Sequence, residues 1–382
     1  MLNIDDLLRW AVQNDASDLF IKAHGPPMVR VYGDLLRMQA DPLSPDEAKR
    51  LSYSILTEEE IQEFEKDLEL DVAYEIEDLC RFRVNIFVQR GNVQSVFRAI
   101  PFRISTMEEL ALPDLCRRLA DRPRGLVLVT GPAGSGKSTT LAAMINYIND
   151  NLALHVVTVE DPVEFVHTDN RALINQREVG HDTHSFANAL KYVLRQDPDV
   201  ILVGEMRDLE TIGLAITAAE TGHLVLATLH TKDAVQTVDR VIDVFPTHQQ
   251  QQVRVQVSVN LLGVISQTLV KRTDGRGRVA AFETMEAISA IRNLIREAKT
   301  FQIGSIVQTG SRRGMWTLDQ SLANLVRQEV VTYEDAYLKA AVPAEFEAIV
   351  REGMPEGAEP PPSAAEIYSP HAAAAQAEGG NT

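Results

Sequence analysis

Apolar positions recur along the chain with two different periods, and the switches between them mark its elements. Ile4, Leu7, Leu8 and Ala11 fall at i, i+3, i+4 and i+7 and predict an amphipathic opening helix. Residues 18–22 and 28–32 read as strands around a Gly25-Pro26-Pro27 turn, with a further turn at Gly33-Asp34. Ser44-Pro45-Asp46-Glu47 offers an N-cap, an N1 proline and an acidic first turn, predicting a helix to about Ile55. Strands follow over 71–76, 80–89 and 93–100. From Arg81 to Val88 the alternation puts Arg81 and Arg83 on one face, which Arg98 can share, and the Phe, Val and Ile side chains largely on the other. Residues 1–103 therefore read as a small α+β domain whose arginines are either solvated or turned towards a phosphate across a boundary.

Residues 101–104 read as a linker, and Thr106-Met107-Glu108-Glu109 as the cap of a short helix. The pattern then changes. Residues 126–129, 155–159 and 200–203 are short, almost wholly apolar runs, as expected of strands buried on both faces, and 224–228 adds another. Residues 138–149 predict a helix. Beyond about Gln249 the pattern reads as helical. Over 290–297 Ile291, Leu294 and Ile295 share one face and Arg292 and Arg296 another, the picture of a surface helix. Residues 315–319 open a further helix, with Leu322, Leu325 and Val326 at core spacing. Residues 104–342 thus form an α/β domain with C-terminal helices. Residues 343–382 are expected to be a largely disordered tail, because from about Gly353 the Pro, Ala, Gly, Glu and Ser content cannot offset the entropy of ordering.

The chemistry sits at the ends of those buried runs. Gly131-Pro132-Ala133-Gly134-Ser135-Gly136-Lys137-Ser138 satisfies G-x-x-x-x-G-K-[ST] between a predicted strand and a predicted helix. Glycines let backbone N–H groups close on phosphate oxygens, backed by the helix dipole; Lys137 reaches the β- and γ-phosphates and the Ser138 hydroxyl ligates Mg²⁺, with Thr139 following in the helix. The site is therefore expected to bind a nucleoside triphosphate with Mg²⁺. Glu160, Asp161 and Glu164 cluster at the carboxyl end of the next run, where doubly wound folds place their ligands. In the third run Asp199 stands at the start, Gly204 occupies the place where an Asp is usual, and Glu205 follows. Glu205 is accordingly assigned as the carboxylate that polarises the attacking water, with Glu160 or Glu164 joining Ser138 at the metal. Arg207 is placed with the nucleotide contacts. His223 and His230 lie seven apart, an odd separation that points them to opposite faces of a continuous strand and disfavours a shared metal. Each is expected to hydrogen-bond from a strand end towards the phosphates, His223 alternatively being a core histidine.

Composition narrows the alternatives. A formal charge of −17 opposes binding along a nucleic-acid backbone and disfavours a nucleic-acid translocase. Cys80 and Cys116 are far apart and form no zinc or disulfide pattern. No apolar run approaches the ~18 residues of a membrane span, and the N-terminus lacks a basic signal region. A cytoplasmic protein is expected, with any membrane contact coming through partners.

Taken together, residues 125–140 (Walker A), 159–165 (Asp box), 200–208 (atypical Walker B) and 217–231 (His box) resemble the secretion ATPases. The segment 290–297, AIRNLIRE, resembles that of their type IV pilus retraction class. The resemblance runs from near Ser17 to about Ala340. It implies a ring-shaped homohexamer whose subunits pair a PAS-like α+β domain with a RecA-like P-loop ATPase domain. It also implies that Arg81, Arg83 or Arg98 supplies charge to the γ-phosphate, and that the partner is a pilus platform protein of the inner membrane. Assembly motors of the family usually carry an extra N-terminal domain and a four-cysteine zinc site, so this chain resembles retraction motors more. Residues 17–21 and 85–90 also resemble the accessory retraction type.

Overall fold

Ile4, Leu7, Leu8 and Ala11 are all buried on one stripe of α1 (Ile4–Gln13), whose N-cap Asn3 accepts the N–H of Asp5. In this computed structural model, residues 2–31, 33–77, 79–101 and 103–352 are described, and the chain divides into two compact units between Arg103 and Ile104. The first unit continues with β1 (Ala16–Ile21), β2 (Met28–Val31), β3 (Asp34–Arg37), α2 (Pro45–Tyr53), α3 (Glu58–Asp67), β4 (Glu69–Ile76), β5 (Cys80–Gln89) and β6 (Asn92–Pro101). Its antiparallel sheet has the order β3-β2-β1-β6-β5-β4. Phe82, Val84, Ile86 and Phe97 turn inwards with Leu8, Leu51 and Phe64 to make its core. Two elements differ from the expectation. A strand, β3, follows the Gly33-Asp34 turn, because pairing with β2 organises four residues that are all exposed. Helix α3 begins in a Thr57–Glu60 capping box that satisfies its first amides.

The second unit opens at the predicted cap. Thr106 and Glu109 do exchange backbone and side-chain hydrogen bonds, but only a single turn follows. Then come α4 (Asp114–Ala120), β7 (Gly125–Thr130), α5 (Lys137–Asn151), β8 (His155–Glu160), β9 (Leu173–Glu178), α6 (Phe186–Val193), β10 (Val200–Val203), α7 (Leu209–Glu220), β11 (Leu224–Leu229), α8 (Ala234–Asp243) and α9 (Thr247–Asn260). The region read as wholly helical beyond Gln249 instead holds a long hairpin, β12 (Leu261–Lys271) and β13 (Arg278–Glu286). It is followed by α10 (Ser289–Arg296), α11 (Ile303–Gln308), α12 (Leu318–Arg327), α13 (Tyr333–Tyr337) and α14 (Pro343–Glu352).

The sheet order is β13-β12-β7-β11-β10-β8-β9, with every neighbouring pair parallel except β12–β13. Sheet placement explains the unbroken apolar runs. Leu126 and Leu128 of β7 belong to one buried cluster and Val127 and Val129 to another, on the two faces of the sheet. A strand with helices on both faces has no solvent side on which to carry polar residues.

Three further expectations at the C-terminal end are corrected. Trp316 pairs with Thr284 as a β-bridge, so the helix starts only at Leu318, where Thr317 and Gln320 form a capping box. Residues 343–352, assigned to the disordered tail, form α14 and bury Phe346 completely against Leu322 and Ala336. The compositional argument therefore concerns only residues 353–382, which lie outside the described residues. Finally, Ile291 and Ile295 of α10 are fully buried, but Arg292 does not share an outer face with Arg296; it turns to backbone carbonyls around the end of α9. Among the described residues no helix is long and apolar enough to cross a membrane.

Candidate active site

The loop between β7 and α5 is shaped by contacts that only glycine allows. At Gly131 (φ +143) a Cβ would stand 2.3 Å from the carbonyl of Gln267 and 2.6 Å from Ser135 Oγ. Gly136 (φ +89) is the left-handed N-cap of α5 and offers no side chain to its first amides. Those N–H groups and the positive end of a fifteen-residue helix therefore face the loop, an arrangement suited to an anion. Pro132, Ala133 and Gly134 are exposed, Ser138 and Thr139 half-buried, and Ser135 buried. Lys137 curls across the loop, donating to the carbonyls of Gly131 (3.0 Å) and Pro132 (3.1 Å). Burial lowers its pKa, against the opposing pull of Glu205 and Glu164.

The carboxyl ends of β8, β10 and β11 bring the predicted carboxylates beside that loop. Ser138 and Glu160 line one cavity of about 30 Å³ with Thr158, His167 and Thr228. Glu160 accepts from Thr158 Oγ1 (2.6 Å) and Gln176 Nε2 (3.2 Å), and burial raises its pKa. A hydroxyl and a carboxylate on one small cavity form an oxygen donor set that fits a hard divalent cation such as Mg²⁺. Among the described residues no group of three or more His, Cys, Asp or Glu could hold a metal, so phosphate oxygens and water would complete the coordination. Glu164 is exposed and acts on Lys137 and Glu160 through its charge.

Glu205 follows Gly204 at the end of β10. It accepts from Arg207 at 2.7 Å and pairs with His230 Nε2 at 3.0 Å. The Arg207 hydrogen bond, then the charges of His230, Arg207 and Lys137, hold its carboxyl below the ordinary range despite partial burial. An ionised, oriented carboxylate near the phosphate-binding lysine can accept a proton from water. Gly204 has its own reason: a Cβ there would lie 3.1 Å from the Val159 carbonyl and 3.2 Å from Glu160 Cα. β8 approaches too closely for an Asp, and the acidic residue comes one position later.

One assignment fails. His223 precedes β11, at the end of the sheet opposite the phosphate loop: Leu224 pairs with Gly125 and Leu229 with Thr130, in parallel. Seven residue steps separate it from the level of Gly131, about 23 Å along the strand. Its Nδ1 bonds the Ala218 carbonyl at 2.9 Å, so within its own chain it secures the end of α7 rather than a phosphate. Arg207 is engaged with Glu205. Arg81, Arg83 and Arg98 lie in the first unit. Arg83 and Arg98 are direct cross-strand partners, Arg98 pairs with buried Asp18 at 3.0 Å, Arg83 approaches Asp71 at 3.9 Å, and Arg81 faces Glu75 across β4–β5. The sequence does not single out Gln267 and Gln176, because the strands β12 and β9 that carry them are not marked by its pattern, nor Thr140, whose partner on β12 is visible only in the fold.

A parallel sheet with a phosphate loop at the end of a central strand, and a paired carboxylate at the same end of the sheet two strands away, defines a P-loop nucleotide hydrolase. Residues 2–300 match the type II/IV secretion system protein family. The chain is 51% identical over 345 residues to the type IV pilus retraction ATPase PilT of Pseudomonas aeruginosa, covering 90% of this chain and 100% of that protein. Identity to the type IV pilus ATPase PilU of the same organism is 39%, over 94% of each chain. The crystal structure of the pilus retraction motor PilT with bound ADP superposes with a TM-score of 0.83 at 45% identity, covering 91% of this chain and 99% of that one. The chain belongs to the type II/IV secretion ATPase family, and it is a nucleotide-binding ATPase.

Proposed function

We propose that the protein is the ATP-driven motor that retracts type IV pilus fibres by disassembly, working as a homohexamer on the cytoplasmic side of the inner membrane. The observation that carries the hydrolytic part is Glu205, held ionised by Arg207 and His230 within electrostatic reach of Lys137. Retraction rests on 51% identity along the whole of a retraction ATPase, against 39% to PilU. The accessory role is the second reading.

In this reading Lys137 and the loop amides hold the β- and γ-phosphates, and Glu205 takes a proton from the attacking water. His230 orients Glu205, while Glu164 adds to the field around Lys137. Ser138 and Glu160 would hold Mg²⁺, which would supply neutralisation of charge on the phosphates. The family resemblance assigns to one of Arg81, Arg83 and Arg98 the supply of charge to the γ-phosphate, a contribution worth roughly 10³–10⁵ in rate in related chemistry. Nucleotide-driven movement is passed to a platform protein in the membrane, supporting twitching motility and, where the pilus takes up DNA, that process as well.

The test combines two measurements. Glu205→Gln should still bind ATP yet lose hydrolysis; wild-type turnover would remove Glu205 from its role. A strain lacking the gene should carry abundant pili and not twitch. A bald strain would make this an assembly motor, and near-zero turnover by the purified wild-type protein would favour the accessory reading.

A further inference from the structure

Gln267 stands on β12, beside β7, and both ends of its side-chain amide are committed to the phosphate loop and its helix. Nε2 donates to the carbonyl of Ser135 at 2.7 Å, and Oε1 accepts from the hydroxyl of Thr140 at 2.9 Å. The residue is 3% exposed, so neither bond competes with bulk water. Its own backbone carbonyl stands against Gly131, and its Nε2 would lie 3.1 Å from a Cβ on Gly136. A single side chain thus joins a loop peptide to the first turn of α5, while its backbone packs on the loop's first glycine.

The peptide plane gives this arrangement a consequence. In a trans peptide the C=O and the following N–H point in opposite directions. Drawing the Ser135 carbonyl towards β12 turns the Gly136 N–H away from β12 and into the loop, where a phosphate oxygen is received. The preceding residue secures the base of the loop: Ser266 Oγ lies 2.8 Å from Thr130 Oγ1 at the end of β7.

We propose that Gln267 is a positioning residue for nucleotide binding, fixing the Ser135–Gly136 peptide so that its N–H is aimed at the bound phosphate. It acts through the loop and touches no reacting atom. This rests on nucleotide binding at the loop and not on the pilus reading, so the test reads nucleotide affinity and steady-state kinetics of the full-length protein.

Gln267→Met keeps the length of the side chain and removes both hydrogen bonds. Affinity for a fluorescent ADP analogue, with Mg²⁺, should fall about tenfold, the loss expected when a buried carbonyl is left unpaired and a phosphate ligand is misaligned. Because the loop holds ground and transition states alike, KM for ATP should rise by a similar factor and kcat should fall much less. Thr140→Val removes only the helix-side partner and should weaken affinity less than Gln267→Met does. Gln267→Glu supplies a second readout if the methionine variant does not fold. When ionised it keeps the acceptor for Thr140 and loses the donor to Ser135, and its affinity should fall at least as far. Wild-type affinity in either soluble Gln267 variant overturns the proposal. So does a Thr140→Val loss equal to that of Gln267→Met, or a fall in kcat at unchanged KM, because each would put the effect in helix packing or chemistry rather than in the Ser135 peptide.

Discussion

Arg292 on α10 donates through Nη1 to the backbone carbonyl of Val259 at 2.9 Å, in the last turn of α9. The same guanidinium reaches the carbonyls of Ala287 at 2.7 Å and Leu261 at 3.2 Å. A helix leaves its final carbonyls without partners, and a cation there also meets the negative end of its dipole. Arg292→Ala should therefore lower the thermal midpoint, by an effect on the order of 2 kcal/mol. Arg296→Ala should stay within about 0.5 kcal/mol, as exposed positions usually do. Equal effects of the two substitutions on the melting curve would refute this division of roles within the AIRNLIRE segment.

Glu205 offers a pH test. A proton acceptor must be ionised, and the Arg207 hydrogen bond is the largest cause holding this carboxyl below 4.5. Removing that bond in Arg207→Ala lets the pKa rise, so the acid limb of the kcat profile should move to higher pH. An unshifted limb would mean that another group sets it. Rates at several pH values on both proteins decide the matter.

How far the sequence could be read depended on which residues shared a period. The phosphate loop, the carboxylates at strand ends and the buried parallel strands were legible, because each depends on local spacing or on an unbroken apolar run. The β12–β13 hairpin was not read, although β-branched residues flank Asp274-Gly275 on both sides, a recognised hairpin signal. With that hairpin went Gln267, a glutamine whose importance comes only from lying beside β7. Residues 343–352 were placed with the tail although its composition begins only near Gly353; Phe346 is fully buried and Ile349 and Val350 pack beside it, which holds them as a helix. His223 could have been placed by noting that it precedes its strand, whereas parallel strands carry their ligands at the other end.

Gly204 explains why the acidic residue of β10 is displaced by one. Its N–H bonds the Val159 carbonyl at 2.8 Å, and a Cβ would lie 3.1 Å from that oxygen. The neighbour is backbone and cannot swing aside as a side chain would. Gly204→Ala should cost about 1–3 kcal/mol, the usual range for overpacking, and Gly204→Asp more. The double variant Gly204→Asp with Glu205→Gly should not recover hydrolysis. Recovered ATPase activity in the double variant would show that the strand end tolerates the commoner arrangement after all.

Glu283 makes stability depend on pH. It lies on β13, where it accepts the N–H of Ala234 at 2.7 Å, at the start of α8, and that of Leu318 at the start of α12. Burial, with the nearby charges of Asp233 and Asp319, pushes its pKa from 4.5 up to about 7. The folded state therefore holds a proton that the unfolded state has already released. Below pH 4.5 both states are protonated and this contribution to stability is fully present; it is lost as pH rises towards 7, by up to about 3 kcal/mol. A Glu283→Gln variant has nothing to titrate at this position, while every other ionisable group is common to both proteins. The difference in thermal midpoint, variant minus wild type, should then grow more positive from about pH 5 to about pH 8. Parallel curves across that interval would show that Glu283 is already ionised in the folded protein, with the two helix N-termini stabilising its charge more than burial opposes it.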